Sequence, residues 1–317
     1  MKPIFWRVFK IIISILCFTA IYHWVDFQKL SEKFRNLFWL PFSIAILLNL
    51  FFLLFNAIKT RYLFSDPRPT LINVIKVNFI TVFFRSFLPG GIGGEFARWA
   101  YMSQNLNTKN ESLNVILVER TTGIITQIIF GVFASFWILY FNPSNDSALL
   151  YKVLIFLVLI SVLFGACLRL NKRIFIWLQK REHSKFLWIK NIASIINDVT
   201  NTLIEVAKSP QKLFNIVFLC LLNQISNIGI FILIDRSLGG DLSWTYASLF
   251  LTGFTLISAL PISFGNWGVS EGALGILYQF SGSQTETGIM FSLLIRIMNL
   301  VPAIIGWFYF LSFKSEK

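Results

Sequence analysis

Ionisable side chains occur within stretches of this sequence that are otherwise apolar enough to lie in a membrane. Among them are three glutamates and three arginines: Glu95, Glu119, Glu271, Arg98, Arg120 and Arg296. An arginine guanidinium can donate two parallel hydrogen bonds to a phosphate or a carboxylate, so these arginines are suited to binding an anion. A charge at the centre of a membrane helix costs roughly 2.5 to 3.5 kcal/mol, so each arginine needs a partner. We expect the glutamates to be these partners.

A motif in which a proline and several glycines precede a glutamate occurs twice. One copy, at 88–98, reads LPGGIGGEFAR, and the second, at 260–271, reads LPISFGNWGVSE. Because proline and glycine interrupt helices, we expect each motif to break a membrane-embedded helix and to expose backbone N–H groups that attract anions. The predicted break residues are Pro89, Gly90, Gly91, Gly93, Gly94, Pro261, Gly265 and Gly268. Paired breaks are typical of transporter substrate sites, although the glycines alone could also serve close helix packing.

The spacing after the two motifs is the same. Arg120 lies 25 residues after Glu95, and Arg296 lies 25 residues after Glu271. The sequence therefore predicts an internal duplication, in which each half brings an acid and an arginine to an equivalent place. The alternative is that these acids only cap the broken helices or neutralise arginines, and so hold the helices in position.

The composition is that of an integral membrane protein. Of the 317 residues, 56% are hydrophobic and only 14% are charged, and the mean hydropathy is +0.68. The hydrophobic fraction is higher, and the charged fraction lower, than in soluble globular domains. A spanning helix needs about 20 apolar residues, and the predicted spans are 8–24, 37–58, 113–141, 149–170, 212–234 and 286–313. Two further apolar segments, 74–102 and 244–281, contain the broken motifs.

The net charge of +13 is concentrated in one segment, which argues against a nucleic-acid partner. Nine basic residues lie close together: Arg169, Lys172, Arg173, Lys180, Arg181, Lys185, Lys190, Lys208 and Lys212. The positive-inside rule places segment 171–211 in the cytoplasm as a connector between the halves. Apolar residues interleave with the basic ones, which favours amphipathic helices on an anionic membrane surface. A connector helix whose charges are simply solvated is an equal alternative.

Loop charges then predict the topology. The link 142–148 has no lysine or arginine and falls outside, whereas the basic link 59–76 belongs inside. Segment 74–102 must therefore begin and end in the cytoplasm as a re-entrant hairpin, and segment 244–281 begins and ends outside.

The predicted fold is an all-α polytopic membrane protein with about six full spans and two re-entrant helical hairpins, arranged as an inverted repeat. The whole chain, 1–317, is one membrane domain with inverted halves 1–141 and 149–313. Both termini are expected in the cytoplasm.

Other polar residues within the spans have two possible roles. They are Asn49, Asn56, Asn78, Gln127, Asn223, Gln224, Asn227 and Asn299. They could line a path for a polar headgroup, but such residues more often form hydrogen bonds across helix interfaces. The three cysteines and two histidines show no metal-ligand spacing, and no nucleotide-binding or serine-hydrolase motif occurs. We therefore expect no metal and no cofactor.

The motifs resemble those of a known family. GEFAR at 94–98, the pair Glu119-Arg120 and the stretch 261–271 are similar to the membrane domain of lysylphosphatidylglycerol synthases and its stand-alone, flippase-like relatives. The similarity covers about residues 8–313. Members often have an aspartate three residues after the Glu-Arg pair, where this chain has a glycine. A role for that acid is therefore not carried over.

The resemblance implies a lipid transporter of a bacterial cytoplasmic membrane. Its substrate would be a membrane phospholipid or polyprenyl-phosphate lipid, such as aminoacylated phosphatidylglycerol or a glycosylated polyprenyl phosphate. The arginines would hold the phosphate, and the glutamates would neutralise them when the site is empty or receive a cationic headgroup.

We do not expect synthase activity, because aminoacyl transfer in the bifunctional relatives belongs to a large soluble domain, and only about four residues follow Phe313 here. Two alternatives stay open. One is an intramembrane lipid-modifying enzyme with a glutamate as general base. The other is a non-transporting partner of a lipid-modifying enzyme.

Overall fold

The regular structure of the chain is helical throughout the part that the computed structural model describes. This part comprises residues 27–64, 69–87, 90–105, 109–141, 154–155, 157–159, 162, 198–204, 206, 208–259, 263 and 266–312. Nine helices with defined bounds lie within it: α1 Phe27–Arg35, α2 Trp39–Leu63, α3 Leu71–Phe87, α4 Gly90–Asn105, α5 Lys109–Phe141, α6 Pro210–Ser237, α7 Trp244–Ala259, α8 Val269–Phe280 and α9 Thr285–Ser312. The predicted all-α class is confirmed.

Four of the described helices are long and apolar enough to cross a membrane. These candidate spans are Trp39–Leu63, Glu111–Phe141, Pro210–Ser237 and Thr285–Ser312. Even the shortest, at 25 residues, is about 37 Å long and exceeds the roughly 30 Å hydrocarbon core of a bilayer. The chain is therefore a multi-pass membrane protein. Two other predicted spans, 8–24 and most of 149–170, lie outside the described residues, as does most of connector 171–211.

The first Pro-Gly motif lies between α3 and α4, and four of its predicted break residues are helical. Residues 88–89, including Pro89, separate α3 from α4 and lie outside the described part. The sequence predicts a break that also contains four glycines, which instead form the first turns of α4: Gly90, Gly91, Gly93 and Gly94. Glycine costs only about 1 kcal/mol in a helix, whereas an unpaired backbone group in an apolar environment costs more. The helix therefore resumes directly after the proline.

The second break falls between Ala259 and Val269. Gly268 is the N-cap of α8 and has a φ of +80°, a conformation that glycine adopts readily and other residues do not. It therefore lies between α7 and α8, immediately before the first residue of α8. Pro261 and Gly265 lie outside the described residues.

Helix packing follows a pairwise pattern. Helix α2 packs along α6, while α3 packs on α9 and α7 packs on α5. Each helix before a break also packs on the helix after it, α3 on α4 and α7 on α8, and these are followed by contacts of α4 with α5 and of α8 with α9. The two sets of helices correspond in order, α2–α5 to α6–α9. When each helix is replaced by its counterpart, the contact of α3 with α9 becomes that of α7 with α5, and the contacts within one half become those within the other. The contact of α2 with α6 is unchanged.

The central helices α2 and α6 run antiparallel. The backbone N–H of Phe38, at the start of α2, donates to the carbonyl of Ser237, at the end of α6, over 2.8 Å. At the opposite ends, the Asn215 amide donates to the Tyr62 hydroxyl, also over 2.8 Å. This relative direction agrees with the topology that the loop charges predict.

Glycines allow two of the helix crossings to be close. A Cβ added to Gly306 of α9 would overlap the backbone carbonyl of Phe79 on α3. A Cβ added to Gly131 of α5 would lie 2.7 Å from a methyl carbon of Thr252 on α7. Small residues at a crossing let helix backbones approach each other, which is a common packing solution in membranes. Both crossings, α3 with α9 and α5 with α7, use it.

Several of the buried amides join helices. The Asn49 side chain donates to the Asn299 side chain over 3.3 Å, linking α2 to α9. The Asn223 side chain donates to the Asn56 side chain over 3.4 Å, linking α6 to α2. For these residues the structure supports the packing role that the sequence left open.

Candidate functional site

Glu95, in the second turn of α4, lies among three arginines. Arg85, from the last turn of α3, donates through Nη2 to Glu95 Oε1 over 3.0 Å. Arg120, from α5, donates to the same oxygen over 2.8 Å. Arg98, one turn further along α4, places Nη1 at 3.7 Å from Glu95 Oε2. A single carboxylate cannot neutralise three guanidinium groups, so this site needs further acids or keeps positive charge.

Arg98 also forms a buried ion pair with Glu119 of α5. The Nη1–Oε1 and Nη2–Oε2 distances are 3.1 and 2.5 Å, which gives two parallel hydrogen bonds. Thr60 of α2 accepts a hydrogen bond from Arg98 Nη2 over 2.6 Å, and its hydroxyl also donates to Glu119. Lys59, likewise buried, adds a positive charge that acts on Glu119. Four helices therefore build this site.

The ionic residues of this site carry a net positive charge. We call them the first-half cluster: Lys59, Arg85, Glu95, Arg98, Glu119 and Arg120. Four cations and two carboxylates give a net charge of +2. The side chains of Arg98 and Glu119 are 4% and 7% exposed, whereas those of Arg85 and Arg120 are 51% and 40% exposed. The accessible edge of the cluster thus consists of arginines, and an anion can approach it there.

Glu271, in the first turn of α8, forms a second and simpler site. Its Oε1 accepts from Arg296 Nε of α9 over 2.7 Å and from the Ser292 hydroxyl over 3.3 Å. Its Oε2 accepts from the backbone N–H of Gly268 over 2.7 Å and so caps α8. Glu271 therefore caps a helix, as one alternative from the sequence proposed, and it also forms an ion pair with Arg296.

Two further groups orient the Arg296 guanidinium. Its Nη2 donates to the backbone carbonyl of Asn266 over 3.1 Å. Its central carbon lies 3.9 Å from the centre of the Trp267 ring, in cation–π geometry. We call Trp267, Glu271, Ser292 and Arg296, together with the carbonyl of Asn266, the second-half cluster.

The equal spacing in the sequence corresponds to equal geometry. A shift of 176 residues carries Glu95 to Glu271 and Arg120 to Arg296. Each glutamate forms an ion pair with its own arginine, at 2.8 Å in the first half and 2.7 Å in the second. The expectation that the arginines have glutamate partners is therefore met, and Arg98 finds its partner in Glu119.

The same shift also shows where the halves differ. Arg98 corresponds to Leu274 and Glu119 corresponds to Ile295. Leu274 is fully buried in an apolar cluster against which Ile295 packs. A buried ion pair in one half is thus replaced by an apolar contact in the other. The first half carries an additional fixed charge pair beside its site.

A cavity of about 600 Å³ lies beside the second-half cluster. Arg296 and Trp267 form part of its wall, and helix α1 contributes Ser31, Phe34 and Arg35. The other described residues of the lining are Met290, Leu293, Ile297 and Leu300 of α9. The cavity therefore combines two guanidinium groups with a mostly apolar wall.

The structure adds residues to the site that the sequence analysis does not single out. Arg85 is the clearest of these, because a charge inside the apolar segment 74–102 is itself a signal. Lys59 lies at the end of a predicted span and reads there as part of a cytoplasmic loop. Thr60 carries no signal in the sequence, and only the packing of α2 against α5 places it beside Glu119.

The sequence matches the family described as Lysylphosphatidylglycerol synthase TM region over residues 7–306. The chain belongs to this family. The match contains both clusters and all nine described helices up to residue 306 of α9. No curated protein and no solved structure matches the chain significantly. Membership of the lysylphosphatidylglycerol synthase TM-region family identifies a membrane protein related to lipid handling.

One glycine next to the first-half cluster has free space around it. Gly123 lies three residues after Arg120 on the same helix. A Cβ added at Gly123 would have no atom within 4 Å. A side chain here would therefore extend into unfilled space, three residues beyond Arg120 and close to the exposed edge of the first-half cluster.

Proposed function

We propose that this protein binds an anionic lipid through its phosphate and moves it between the leaflets of the membrane. The observation that carries the proposal is the first-half cluster, in which four cations surround two carboxylates within a membrane protein. Arg85 and Arg120 share one glutamate oxygen and are the accessible members. A phosphate that binds there gains two guanidinium partners while Glu95 keeps its contact with Arg98. Guanidinium groups are well suited to this geometry.

The apolar surroundings favour a lipid over a soluble anion. The faces of the candidate spans carry exposed large apolar side chains, for example Leu40 at 74% and Phe214 at 69%. Such faces are in contact with acyl chains in a bilayer. The lysylphosphatidylglycerol synthase family itself relates to lipid handling. Within that class, we propose an aminoacylated or glycosylated phospholipid or polyprenyl phosphate as substrate.

The transport mechanism we propose uses two inverted halves, 1–141 and 149–313, each with a re-entrant hairpin. Support comes from the paired Pro-Gly breaks, the equal Glu–Arg spacing and the helix contacts that are preserved when the halves are exchanged. Alternating access then occurs by rocking of one half against the other around the site. In the full arrangement there are six spans, and both termini lie in the cytoplasm.

The residues have distinct roles in this proposal. In the first half, Arg120 and Arg85 contact the phosphate and Glu95 holds them when no lipid is bound; in the second half, Arg296 and Glu271 have the corresponding roles. Arg98 and Glu119 lie deeper and keep α4 fixed against α5, so that the site keeps its shape. Glu95 is the acid nearest to a cationic headgroup on a lipid bound at the exposed edge.

We propose no covalent chemistry on the lipid. Glu95, Glu119 and Glu271 each form an ion pair with at least one arginine. Each carboxylate is therefore already bound by a guanidinium group in this structure, and we assign the three glutamates to ion pairing with the arginines.

The experiment is a headgroup-accessibility assay in liposomes. The lipid that copurifies with the protein is identified by mass spectrometry and incorporated on one side only, and a membrane-impermeant headgroup probe follows its appearance on the other side. We expect the wild-type protein to accelerate this movement, and Glu95→Gln and Glu271→Gln to slow it. Exposed Lys212→Gln is the control and should transport normally. Chemical conversion of the lipid would instead establish an enzyme, and a lipid that neither moves nor reacts would favour a partner-protein role.

A further inference from the structure

The cavity beside the second-half cluster contains a positive residue that the Glu–Arg pairs do not include. Helix α1 packs against α9 and places Arg35 on the wall of this cavity. Arg35 is the last residue of α1 and is exposed. It therefore faces the same 600 Å³ space as Arg296, from a helix that lies outside the two motif segments.

The charges of this cavity match a singly charged anion. Among the lining residues that the structure describes, Arg35 and Arg296 carry a charge, and Glu271 neutralises one of them through the 2.7 Å ion pair. The charges of these described groups therefore sum to +1. A phosphodiester carries a charge of −1, whereas a phosphomonoester carries nearly −2 at neutral pH. The first-half cluster, with its net charge of +2, is the more positive of the two sites.

The apolar wall of the cavity lies along one face of α9. Leu293, Ile297 and Leu300 follow the spacing i, i+4, i+7, which places them on one side of a helix. Ile297 is 38% and Leu300 50% exposed, so this side of the cavity is open toward the surroundings of the helix bundle. An acyl chain can leave the cavity in this direction without burying polar groups. A soluble phosphate would gain nothing from this wall.

We propose that the cavity is a binding site for an anionic phospholipid with a phosphodiester headgroup, in which Arg35 of α1 and Arg296 of α9 hold the phosphate together. The acyl chain lies along Ile297 and Leu300, and Trp267 forms the wall behind the Arg296 guanidinium. Arg35 is the specificity residue of this site. The inference rests on the proposed lipid-binding function and adds the place and the lipid class for the second half.

The test is photo-crosslinking of the full-length protein in mixed micelles with phosphatidylglycerol that carries a diazirine on one acyl chain. We expect the label on the α9 peptide that contains Ile297 and Leu300. Arg35→Gln should lower labelling about tenfold, as expected for the loss of one charge-assisted hydrogen bond. Lys33→Gln is the matched control, since it removes the same charge from α1 but does not line the cavity; it should label normally.

A second pair of variants separates a filled cavity from a misfolded protein. Leu300→Trp fills the cavity and should abolish labelling, whereas Ile304→Trp, one turn further along α9 and 55% exposed, should not. Equal labelling by diazirine phosphatidylcholine would overturn the charge argument. Competition by millimolar glycerol phosphate would show a soluble-phosphate site and overturn the lipid assignment. Labelling of the Arg35→Gln variant at the wild-type level would also overturn the proposal.

The outcome is distinguishable from the fate of the proposed function. If lipid movement is absent while labelling of α9 depends on Arg35, the transport proposal fails and the site stands. If lipid movement is normal while the label lies outside α9 or does not depend on Arg35, the site fails and the transport proposal stands.

Discussion

Arg98 and Glu119 form two parallel hydrogen bonds, of 3.1 and 2.5 Å, in the buried interior of the first half. Their equivalents in the second half are the apolar residues Leu274 and Ile295. The two halves therefore share one Glu–Arg pair and differ in a second. We infer that the extra pair fixes α4 against α5 beside the more highly charged of the two sites.

Removal of one partner of this buried pair should strongly destabilise the protein. Arg98→Leu leaves Glu119 without its guanidinium partner, and Glu119→Ile leaves the buried Arg98 with only its longer 3.7 Å contact to Glu95. Breaking such a pair costs about 3 to 5 kcal/mol, which should appear as a large decrease in the thermal unfolding temperature of the purified protein. The double variant copies the second half and should be more stable than either single variant. A double variant that is the least stable of the three would contradict this interpretation.

Arg120 and Arg296 should differ in their importance for stability, although they occupy equivalent positions. Arg120→Gln leaves Glu95 in contact with Arg85 and Arg98, so the protein should stay folded. Arg296→Gln removes the ion-pair partner of a glutamate whose side chain is 3% exposed, which should cost several kcal/mol, about as much as breaking a buried pair. Thermal unfolding of the two variants in detergent shows which substitution lowers the unfolding temperature more. Equal destabilisation by the two substitutions would show that Arg85 and Arg98 do not support Glu95.

Close helix crossing predicts which glycines can be substituted. Gly306→Ala would place a methyl group against the backbone of Phe79, which cannot move aside easily. Overpacking of this kind costs about 1 to 3 kcal/mol. Gly123→Ala and Gly272→Ala are matched controls, because both lie within helices and a Cβ there has no atom within 4 Å. The controls should be neutral or more stable by up to about 1 kcal/mol. Unfolding temperatures compare the three variants, and a neutral Gly306→Ala would rule out the close crossing.

The proposed topology predicts the accessibility of four positions to a membrane-impermeant thiol reagent. In a background from which Cys17, Cys167 and Cys220 have been removed, single cysteines at Ser65 and Asn107 should be labelled only from the cytoplasm. Cysteines at Ser243 and Ser283 should be labelled only from outside. Labelling of Asn107 from outside would mean that segment 74–102 crosses the membrane, and the inverted arrangement would then be wrong.

The ion pairs within each half could be predicted because the apolar context leaves a charge few alternatives. Identical spacing in the two halves indicated that Glu95 and Arg120, like Glu271 and Arg296, occupy equivalent positions. A pairing between a motif segment and the span that follows it depends mainly on that spacing and on the cost of an isolated charge in a membrane. Both pairs are present in the structure.

Contributions from other helices could not be predicted in the same way. Arg85, Lys59 and Thr60 join the first-half cluster because α3 and α2 pack against α4 and α5, and one sequence does not specify these crossings. The sequence also does not predict the helical state of Gly90 to Gly94, because glycine disfavours helices in water. In a membrane the need to pair every backbone group outweighs that preference.

The lipid-movement rate of Arg120→Gln, measured in liposomes and divided by the fraction of folded protein, tests the central claim most directly. Arg120 is 40% exposed and forms an ion pair with Glu95. It is also the accessible arginine of the first half that has an equivalent, Arg296, in the second half. We predict a folded variant that moves the copurifying anionic lipid at least about tenfold more slowly than the wild type, as expected for the loss of one charge-assisted hydrogen bond to the phosphate. A folded Arg120→Gln variant that moves this lipid at the wild-type rate would contradict the account.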